Sequence, residues 1–144
     1  MRRQSLQSVT ESYRGHNVRV FRLDREGTLA RLRERARRVL EQRPEVVEIR
    51  LFGSLARGTA GPGSDADLFV VVRDGAPPFL DRIPALARYF SGLGIGCDVL
   101  VYTESEYQAF AVRQDAFARA ILKHGMPLAR RAATAEDRQT PPVV

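Results

Sequence analysis

The chain has 144 residues, of which 44% are hydrophobic and 28% are charged, so it fits one globular domain with a modest hydrophobic core. No apolar run reaches membrane-spanning length, and no apolar signal segment follows the N-terminal arginines, so we expect a soluble cytoplasmic protein that does not bind membranes. The net charge of +6 comes almost wholly from arginine and favours nucleotides, RNA or an acidic protein as partners, although genomic base composition can produce the same excess.

The first third of the chain predicts an arm, a strand, a helix and a second strand. Residues 1–15 are polar and lack a repeating pattern, which predicts a flexible arm. His16–Leu23 has the composition of a short edge strand. Asp24 is a candidate N-cap for a helix over Arg25–Gln42, because apolar residues recur there at helical spacing. Val46–Phe52 then alternates as a strand.

The segment after this strand has the features of a phosphate-binding turn. Gly53 ends the strand, and Ser54 can cap a short helical turn whose backbone N–H groups point outward. Regular structure is then interrupted by Gly58, Gly61, Pro62 and Gly63. A further strand begins near Ser64, and within it Asp65 and Asp67 are separated by one residue, so both carboxylates project from one face.

Two neighbouring carboxylates repel each other, so the pair formed by Asp65 and Asp67 requires a positive counter-charge. A hard divalent cation such as Mg²⁺ provides that charge and prefers oxygen ligands. A phosphate-binding turn beside a carboxylate metal site favours phosphoryl or nucleotidyl transfer. The alternative is that both aspartates only begin a strand after a turn, where Asp is common.

The middle of the chain predicts a helix and another strand. Residues 79–90 have an amphipathic pattern with a single apolar stripe directed inward, formed by Leu80, Ile83, Leu86, Ala87 and Phe90. Residues 97–102 form an apolar strand with Asp98 at its entry. Asp98 is therefore either a turn residue or a third functional carboxylate.

The C-terminal part predicts a helical region, a short strand and a tail. Thr103 and Glu106 form a capping box that begins the helical region, which extends through Lys123 with a break near Gln114. Its apolar stripe is formed by Phe110, Phe117, Ile121 and Leu122. Residues 126–129 can add a short strand, and 131–144 is expected to be a disordered tail.

The motif Gly-Ser-x10-Asp-x-Asp, which begins at Gly53 and ends at Asp67, resembles the signature of the DNA polymerase β-type nucleotidyltransferase superfamily, and in particular its minimal nucleotidyltransferase branch. The resemblance covers roughly 19–128, with the specific motif confined to 51–72 and one later aspartate. It implies an α/β (α+β) fold with a small mixed, twisted β-sheet, helices mainly on one face and the site at a strand end. We expect this domain to span 16–130.

The resemblance also implies residue roles. Asp65, Asp67 and Asp98 would hold one or two Mg²⁺ ions, with Asp98 completing the second metal position and helping to activate the acceptor hydroxyl. Gly53 and Ser54 would bind the β and γ phosphates of a nucleoside triphosphate.

Two further residues are candidates at the nucleotide. Ser64 stands beside the first aspartate, and Arg57 would either touch a phosphate or face water.

The expected activity is Mg²⁺-dependent transfer of a nucleoside monophosphate, with AMP from ATP favoured, to an acceptor hydroxyl. The resemblance to antitoxins of HEPN–MNT toxin–antitoxin pairs favours a tyrosine of a HEPN-type helical toxin as the acceptor. One alternative is a non-catalytic antitoxin module that only binds its partner. Another is a nucleotidyltransferase for aminoglycoside-like molecules, which would need a homo-oligomer to build the acceptor pocket. Nucleic acid is not favoured as the acceptor.

Overall fold

The computed structural model describes residues 6–13, 16–110, 112–113 and 115–132. Six strands lie within these ranges: β1 (Leu6–Tyr13), β2 (His16–Leu23), β3 (Val46–Phe52), β4 (Ala66–Val72), β5 (Cys97–Thr103) and β6 (Met126–Arg130). The helices are α1 (Arg25–Gln42), α2 (Gly53–Arg57), α3 (Phe79–Ala87), α4 (Glu104–Phe110) and α5 (Ala116–His124), and a 3₁₀ turn, Arg88–Phe90, follows α3. Among these helices, none combines the length and the apolar character that a membrane crossing requires.

The main sheet has four strands in the order β5-β4-β3-β6. Strand β3 is antiparallel to both of its neighbours, whereas β4 and β5 are parallel and are joined by a crossover that contains α3. A parallel pair needs such a crossover, because a tight turn can only reverse the chain. The mixed sheet and the α/β class predicted from the sequence are confirmed.

Side chains of β4 divide the core between the two faces of the sheet, since successive residues of a strand point in opposite directions. Leu68 and Val70 belong to the larger apolar cluster, which includes α1 and α3. Phe69 and Val71 belong to a smaller cluster with Phe110 of α4 and with α5. Both faces of β4 are therefore buried, which explains its nearly continuous apolar sequence.

Helix α1 forms where the sequence predicts it. The carboxylate of Asp24 accepts a hydrogen bond from the Gly27 N–H at 3.1 Å and caps the helix. The buried residues recur at helical spacing and comprise Thr28, Leu29, Leu32, Ala36 and Val39. Leu32 is fully buried, and burial of a leucine side chain contributes about 2 kcal/mol to folding.

The flexible arm expected over 1–15 is corrected in part, because Leu6–Tyr13 forms strand β1. This strand pairs antiparallel with β2 from Leu6 opposite Leu23 to Tyr13 opposite His16, in a separate two-stranded sheet. The alternation of polar and apolar residues in LQSVTESY is too weak to predict a strand, and the backbone hydrogen bonds to β2 determine its conformation instead. The remainder of the predicted arm lies outside the described residues.

Two residues predicted to face the core are exposed. Leu80 keeps 75% of its surface accessible, because the helical rotation places it about 120° from the buried Leu86 and at the edge of the apolar stripe. Phe117 is 41% exposed and keeps a ring contact with Phe110 at 5.9 Å, while its neighbour Ala118 takes the buried position. The side chains of residues 121–124 lie outside the described part of the chain.

The capping box and the break in the C-terminal helical region are confirmed. The Thr103 N–H donates to Glu106 Oε1 at 2.9 Å, and the Glu106 N–H donates to Thr103 Oγ1 at 3.2 Å. Helix α4 ends at Phe110, and α5 begins after Asp115, whose carboxylate accepts from the Ala118 N–H at 2.8 Å. Strand β6 confirms the short strand predicted near its position.

The disordered tail predicted from residue 131 does not begin there. The Arg131 guanidinium donates to the carbonyls of Val46 at 3.0 Å and Leu40 at 2.8 Å, and its backbone N–H donates to the Val47 carbonyl at 2.8 Å. These bonds continue the pairing of β6 beyond its last residue. Residues 133–144 lie outside the described part of the chain.

Candidate active site

The topology brings the ends of three strands to one edge of the sheet. Because β3 is antiparallel to β4, its last residue, Phe52, pairs with Asp67. Because β5 is parallel to β4, Asp67 also pairs with Asp98. A hydrogen bond from the Ala66 N–H to the Gly96 carbonyl at 2.8 Å fixes this edge. Two carboxylates that are distant in the sequence therefore lie on adjacent strands at the same level.

The electrostatics show that three acidic residues share this edge. Partial burial raises the pKa of Asp67 above its ordinary value, and the charges of Asp98 and Asp65 raise it further, whereas the charge of Arg57 lowers it. Asp67 is half-buried, and both other aspartates are exposed. Asp65 and Asp98 are thus both within electrostatic reach of Asp67, and we call the end of the sheet that carries these three residues the acidic edge.

These carboxylates do not form a closed metal cage. Within the residues that the structure describes, no group of three or more His, Cys, Asp or Glu side chains is gathered closely enough to hold a metal ion. Repulsion among the carboxylates favours their separation, and a cation would relieve it. Accessible carboxylate oxygens suit Mg²⁺ by their chemistry, since this ion keeps several waters and uses few protein ligands. The metal-binding role of Asp65, Asp67 and Asp98 stays a prediction.

Gly53 lies directly against the Asp67 carboxylate. Its φ angle is +77°, in the left-handed region that favours glycine. A Cβ added at this position would overlap Oδ2 of Asp67. The motif glycine therefore permits both the sharp exit from β3 and the close approach of the acidic side chain.

The prediction that Ser54 is an N-cap is wrong. Phe52 occupies the N-cap position of α2 and makes no side-chain capping bond, because the helical turn already begins at Gly53. The Ser54 carbonyl accepts from the N–H groups of Gly58 and Thr59, the latter at 3.0 Å. Ser54 is half-buried in the first turn, and contact of its hydroxyl with a phosphate stays a prediction.

The other two nucleotide-binding candidates flank the carboxylates. Arg57 is exposed in the last turn of α2, and its charge acts on Asp67, so its side chain lies near the acidic edge. Ser64 closes the turn before β4: its Oγ accepts from the Gly61 N–H, and its own N–H donates to the Gly61 carbonyl, both at 3.1 Å. Nucleotide binding by either residue stays a prediction.

Arg25 is a positioning residue that the sequence reasoning missed. Its Nε donates to the Leu55 carbonyl at 3.1 Å, and its Nη2 donates to the Ala56 carbonyl at 3.3 Å. A guanidinium at the C-terminal carbonyls of a helical turn is favourable for both hydrogen bonding and the helix dipole. Leu55 is fully buried, so α2 is anchored both by this apolar side chain and by the hydrogen bonds from Arg25. No local pattern reveals this contact, because Arg25 precedes α2 by about thirty residues.

The carboxylates lie on the sheet face that α4 and α5 cover. Asp67 shares its face with Phe69, and Asp98 shares its face with Leu100, both in the smaller apolar cluster. Phe52 extends this cluster toward the site through an edge-to-face contact with Phe69 at 6.4 Å. An aromatic and aliphatic floor therefore borders the acidic edge.

Comparison with protein families identifies the domain. Residues 32–130 match the profile of the family described as Nucleotidyltransferase domain, a match that spans more than half of the chain. A segment of 49 residues is 45% identical to the CCA-adding enzyme of Pyrobaculum neutrophilum. This segment is 33% of the present chain and 12% of that enzyme, so the match spans only a small part of the relative.

One solved structure with a similar fold is that of a Sulfolobus solfataricus protein assigned as a nucleotidyltransferase. It aligns with a TM-score of 0.56 and 23% identity over 74% of the present chain and 84% of that chain, which bears on the fold alone. A toxin–antitoxin crystallised with AMP-PNP aligns at a TM-score of 0.46 and 22% identity, over 81% of this chain and 79% of that one. A mutant of the toxin–antitoxin MntA-HpeT aligns with a TM-score of 0.44 and 20% identity, over 81% of this chain and 80% of that one. The last two similarities are too weak to carry an argument.

Proposed function

The chain belongs to the nucleotidyltransferase domain family, and from this membership we propose that it transfers a nucleoside monophosphate from a nucleoside triphosphate to an acceptor hydroxyl. ATP is the favoured donor. The acceptor oxygen bonds to the α-phosphorus, the bond from that phosphorus to the bridging oxygen breaks, and pyrophosphate leaves with the electron pair. The observation that supports this proposal is the pairing of Asp67 with Asp98 beside Gly53.

In this proposal the three carboxylates have distinct tasks. Asp65 and Asp67 would hold one or two Mg²⁺ ions, which when bound would neutralise charge on the triphosphate oxygens. Asp98 is exposed and one strand away, so it can complete the metal site and accept the proton of the acceptor hydroxyl. Arg57 adds positive charge for a phosphate at the same edge.

The test is transfer of label from α-³²P-ATP in the presence of Mg²⁺. We expect Asp67→Asn to lower transfer by on the order of a hundredfold or more, as is usual for a group that acts at the reacting atoms. Asp81→Asn is the matched control, because Asp81 is an exposed carboxylate in the first turn of α3. Equal transfer by the Asp67→Asn protein would refute the role of this residue.

For the acceptor, we favour a tyrosine hydroxyl on a HEPN-like helical partner, and thus an antitoxin role. The support is the resemblance of the motif between Gly53 and Asp67 to that of minimal nucleotidyltransferase antitoxins. After co-expression with a helical toxin encoded beside the chain, intact-mass spectrometry should find the mass of one or more AMP groups on the toxin. Digestion should then place the adduct on tyrosine. A neutralised toxin without any adduct would contradict this acceptor.

The alternative function is a non-catalytic binding module that neutralises its partner by binding alone. Co-expression of the toxin with an Asp67→Asn/Asp98→Asn chain distinguishes the two functions. Transfer chemistry predicts that toxicity returns although the complex still forms, whereas a binding module would neutralise the toxin as well as the native chain does.

A further inference from the structure

A groove runs between the solvent side of α1 and strand β6. It has a volume of about 550 Å³, and we call it the α1–β6 groove. Its charged lining includes Arg33 and Arg37 from the helix and Arg130 from the strand. Its apolar lining includes Leu40 and Leu128. Arg130 pairs with Glu48, so its side chain lies on the opposite face of the sheet, and the groove combines two cations from α1 with an aliphatic floor.

The groove carries an excess of positive charge. Glu34 is the one acidic residue among the described residues of the lining, and it pairs with Arg38, outside the lining, at 3.1 Å. Arg37 approaches Glu41 at 4.0 Å, but both side chains are largely exposed, so water screens this pair. The charge of the groove therefore fits an acidic ligand.

The strand that forms one wall is an edge strand. Among the described strands, β6 pairs with β3 alone, so its other side can offer backbone groups to an added strand. Among the described residues that line the groove none is aromatic, so this lining offers no stacking platform of the kind on which single-stranded nucleic acids rest. Leu40 and Leu128 instead suit the alternate apolar side chains of an extended peptide.

We propose that the α1–β6 groove docks an extended acidic segment of a partner protein, which adds to the edge of β6 and directs carboxylates toward Arg33 and Arg37. The position of β6 gives this docking a second consequence. Met126 at the start of β6 pairs with Leu51, two residues before Gly53. A segment bound along β6 leads toward the acidic edge and brings the partner close to the reacting centre, a consequence that rests on the proposed function.

The test uses the full chain and fluorescence anisotropy with a labelled peptide that alternates glutamate and valine. We expect saturable binding that weakens about tenfold in Arg33→Glu, because charge reversal replaces attraction with repulsion. Arg88→Glu is the matched control, since Arg88 is also exposed but lies outside the groove, and its binding should change less than about twofold. Amide exchange in β6 should slow when the peptide binds, since an added strand protects its backbone.

Several outcomes would overturn the docking proposal. The proposal fails if the acidic peptide does not bind, or if Arg33→Glu and Arg88→Glu lose peptide affinity equally. It also fails if amide exchange in β6 does not change, or if a single-stranded RNA binds more tightly than the peptide. A concentration-dependent dimer that Arg33→Glu dissociates would assign the groove to a second copy of the chain. The same titration with Asp67→Asn protein separates this proposal from the catalytic one, because docking should persist when transfer is lost.

Discussion

At Gly53 a backbone angle and a side-chain contact both restrict the position to glycine. The left-handed φ excludes most residues by strain, and the nearby Asp67 carboxylate excludes any Cβ by overlap. Either restriction alone would favour glycine. Together they tie the exit from β3 to the position of the carboxylate.

We therefore expect Gly53→Ala to lower both stability and activity. The left-handed conformation costs alanine about 1–2 kcal/mol, and displacement of the Asp67 carboxylate adds a loss of transfer activity. Gly61→Ala is the control, because a Cβ at Gly61 meets no atom within 4 Å and its φ is not positive. Urea unfolding and label transfer measure the two effects. Equal behaviour of both variants would contradict the restriction at Gly53.

The raised pKa of Asp67 predicts how stability depends on pH. Burial and the neighbouring carboxylates disfavour the charged form in the folded state, so ionisation destabilises the fold as the pH rises from the ordinary value of 3.8 through the raised pKa. Asp67→Asn should therefore increase the free energy of unfolding at neutral pH, and this gain should disappear below pH 3.8.

Asp74→Asn provides the contrast for this measurement. Hydrogen bonds from the Ser105 hydroxyl and N–H lower the pKa of Asp74, so its ionised form is stabilised in the folded state. This substitution should destabilise the chain at neutral pH, and the difference should vanish as the pH falls through the lowered pKa. Urea unfolding from pH 3 to 7 measures both changes in the free energy of unfolding. Changes of the same sign in the two variants would refute the opposite pKa shifts of Asp67 and Asp74.

At the scale of elements, α2 depends on α1 for its position. Two hydrogen bonds from Arg25 reach the last carbonyls of α2, and this helix is too short to be stable alone. The turn that carries the motif is therefore held by a residue outside the motif.

Arg25→Met should preserve the fold and reduce transfer activity. Loss of two charged hydrogen bonds should cost about 1–3 kcal/mol of stability, and looser positioning of α2 should reduce kcat/KM about tenfold. Arg38→Met on the same helix is the control, since its side chain is 45% exposed, lies outside the α1–β6 groove and pairs with the exposed Glu34. Circular dichroism checks the fold in both variants. Full activity in Arg25→Met would exclude a positioning role.

Helix α3 provides a test of burial. Leu86→Ala should destabilise the chain by about 2–4 kcal/mol because it opens a cavity beneath the helix, whereas Leu80→Ala should change stability by less than about 0.5 kcal/mol. Chemical denaturation of both variants measures the difference. Similar losses would mean that Leu80 is buried, as its position in the apolar pattern predicts.

Local sequence signals predict the elements well where a cap or a strong period is present. Asp24 and the Thr103–Glu106 capping box mark helix starts that the structure confirms. Strand β1 was missed because its pairing with β2 is set by the backbone rather than by apolar alternation. The nearness of Asp98 to Asp67 could be expected only from the family resemblance, because strand register depends on tertiary pairing. Arg25 was missed because its contact with α2 is also formed by tertiary packing and leaves no local sequence pattern.

At the scale of the whole molecule, the acidic edge predicts a response of global stability to Mg²⁺. A ligand that binds only the folded state stabilises it by about 2.7 kcal/mol at one hundred times its Kd. Mg²⁺ should therefore raise the Tm of the native chain and of Asp81→Asn, but not that of Asp67→Asn. Differential scanning fluorimetry with and without EDTA makes the comparison. An equal rise in all three proteins would indicate general ion effects.

The alignment of Asp67 with Asp98 across the parallel strands has a consequence for protein engineering. A one-residue slip of β5 along β4 would reverse the direction of every β5 side chain and would exchange Asp98 with an apolar neighbour. Segment 91–96, which enters β5, can therefore be lengthened or recoded only if the Ala66–Cys97 pairing is retained. Sequence libraries at this segment should retain the fold for many sequences, but for few changes in the register of β5 against β4.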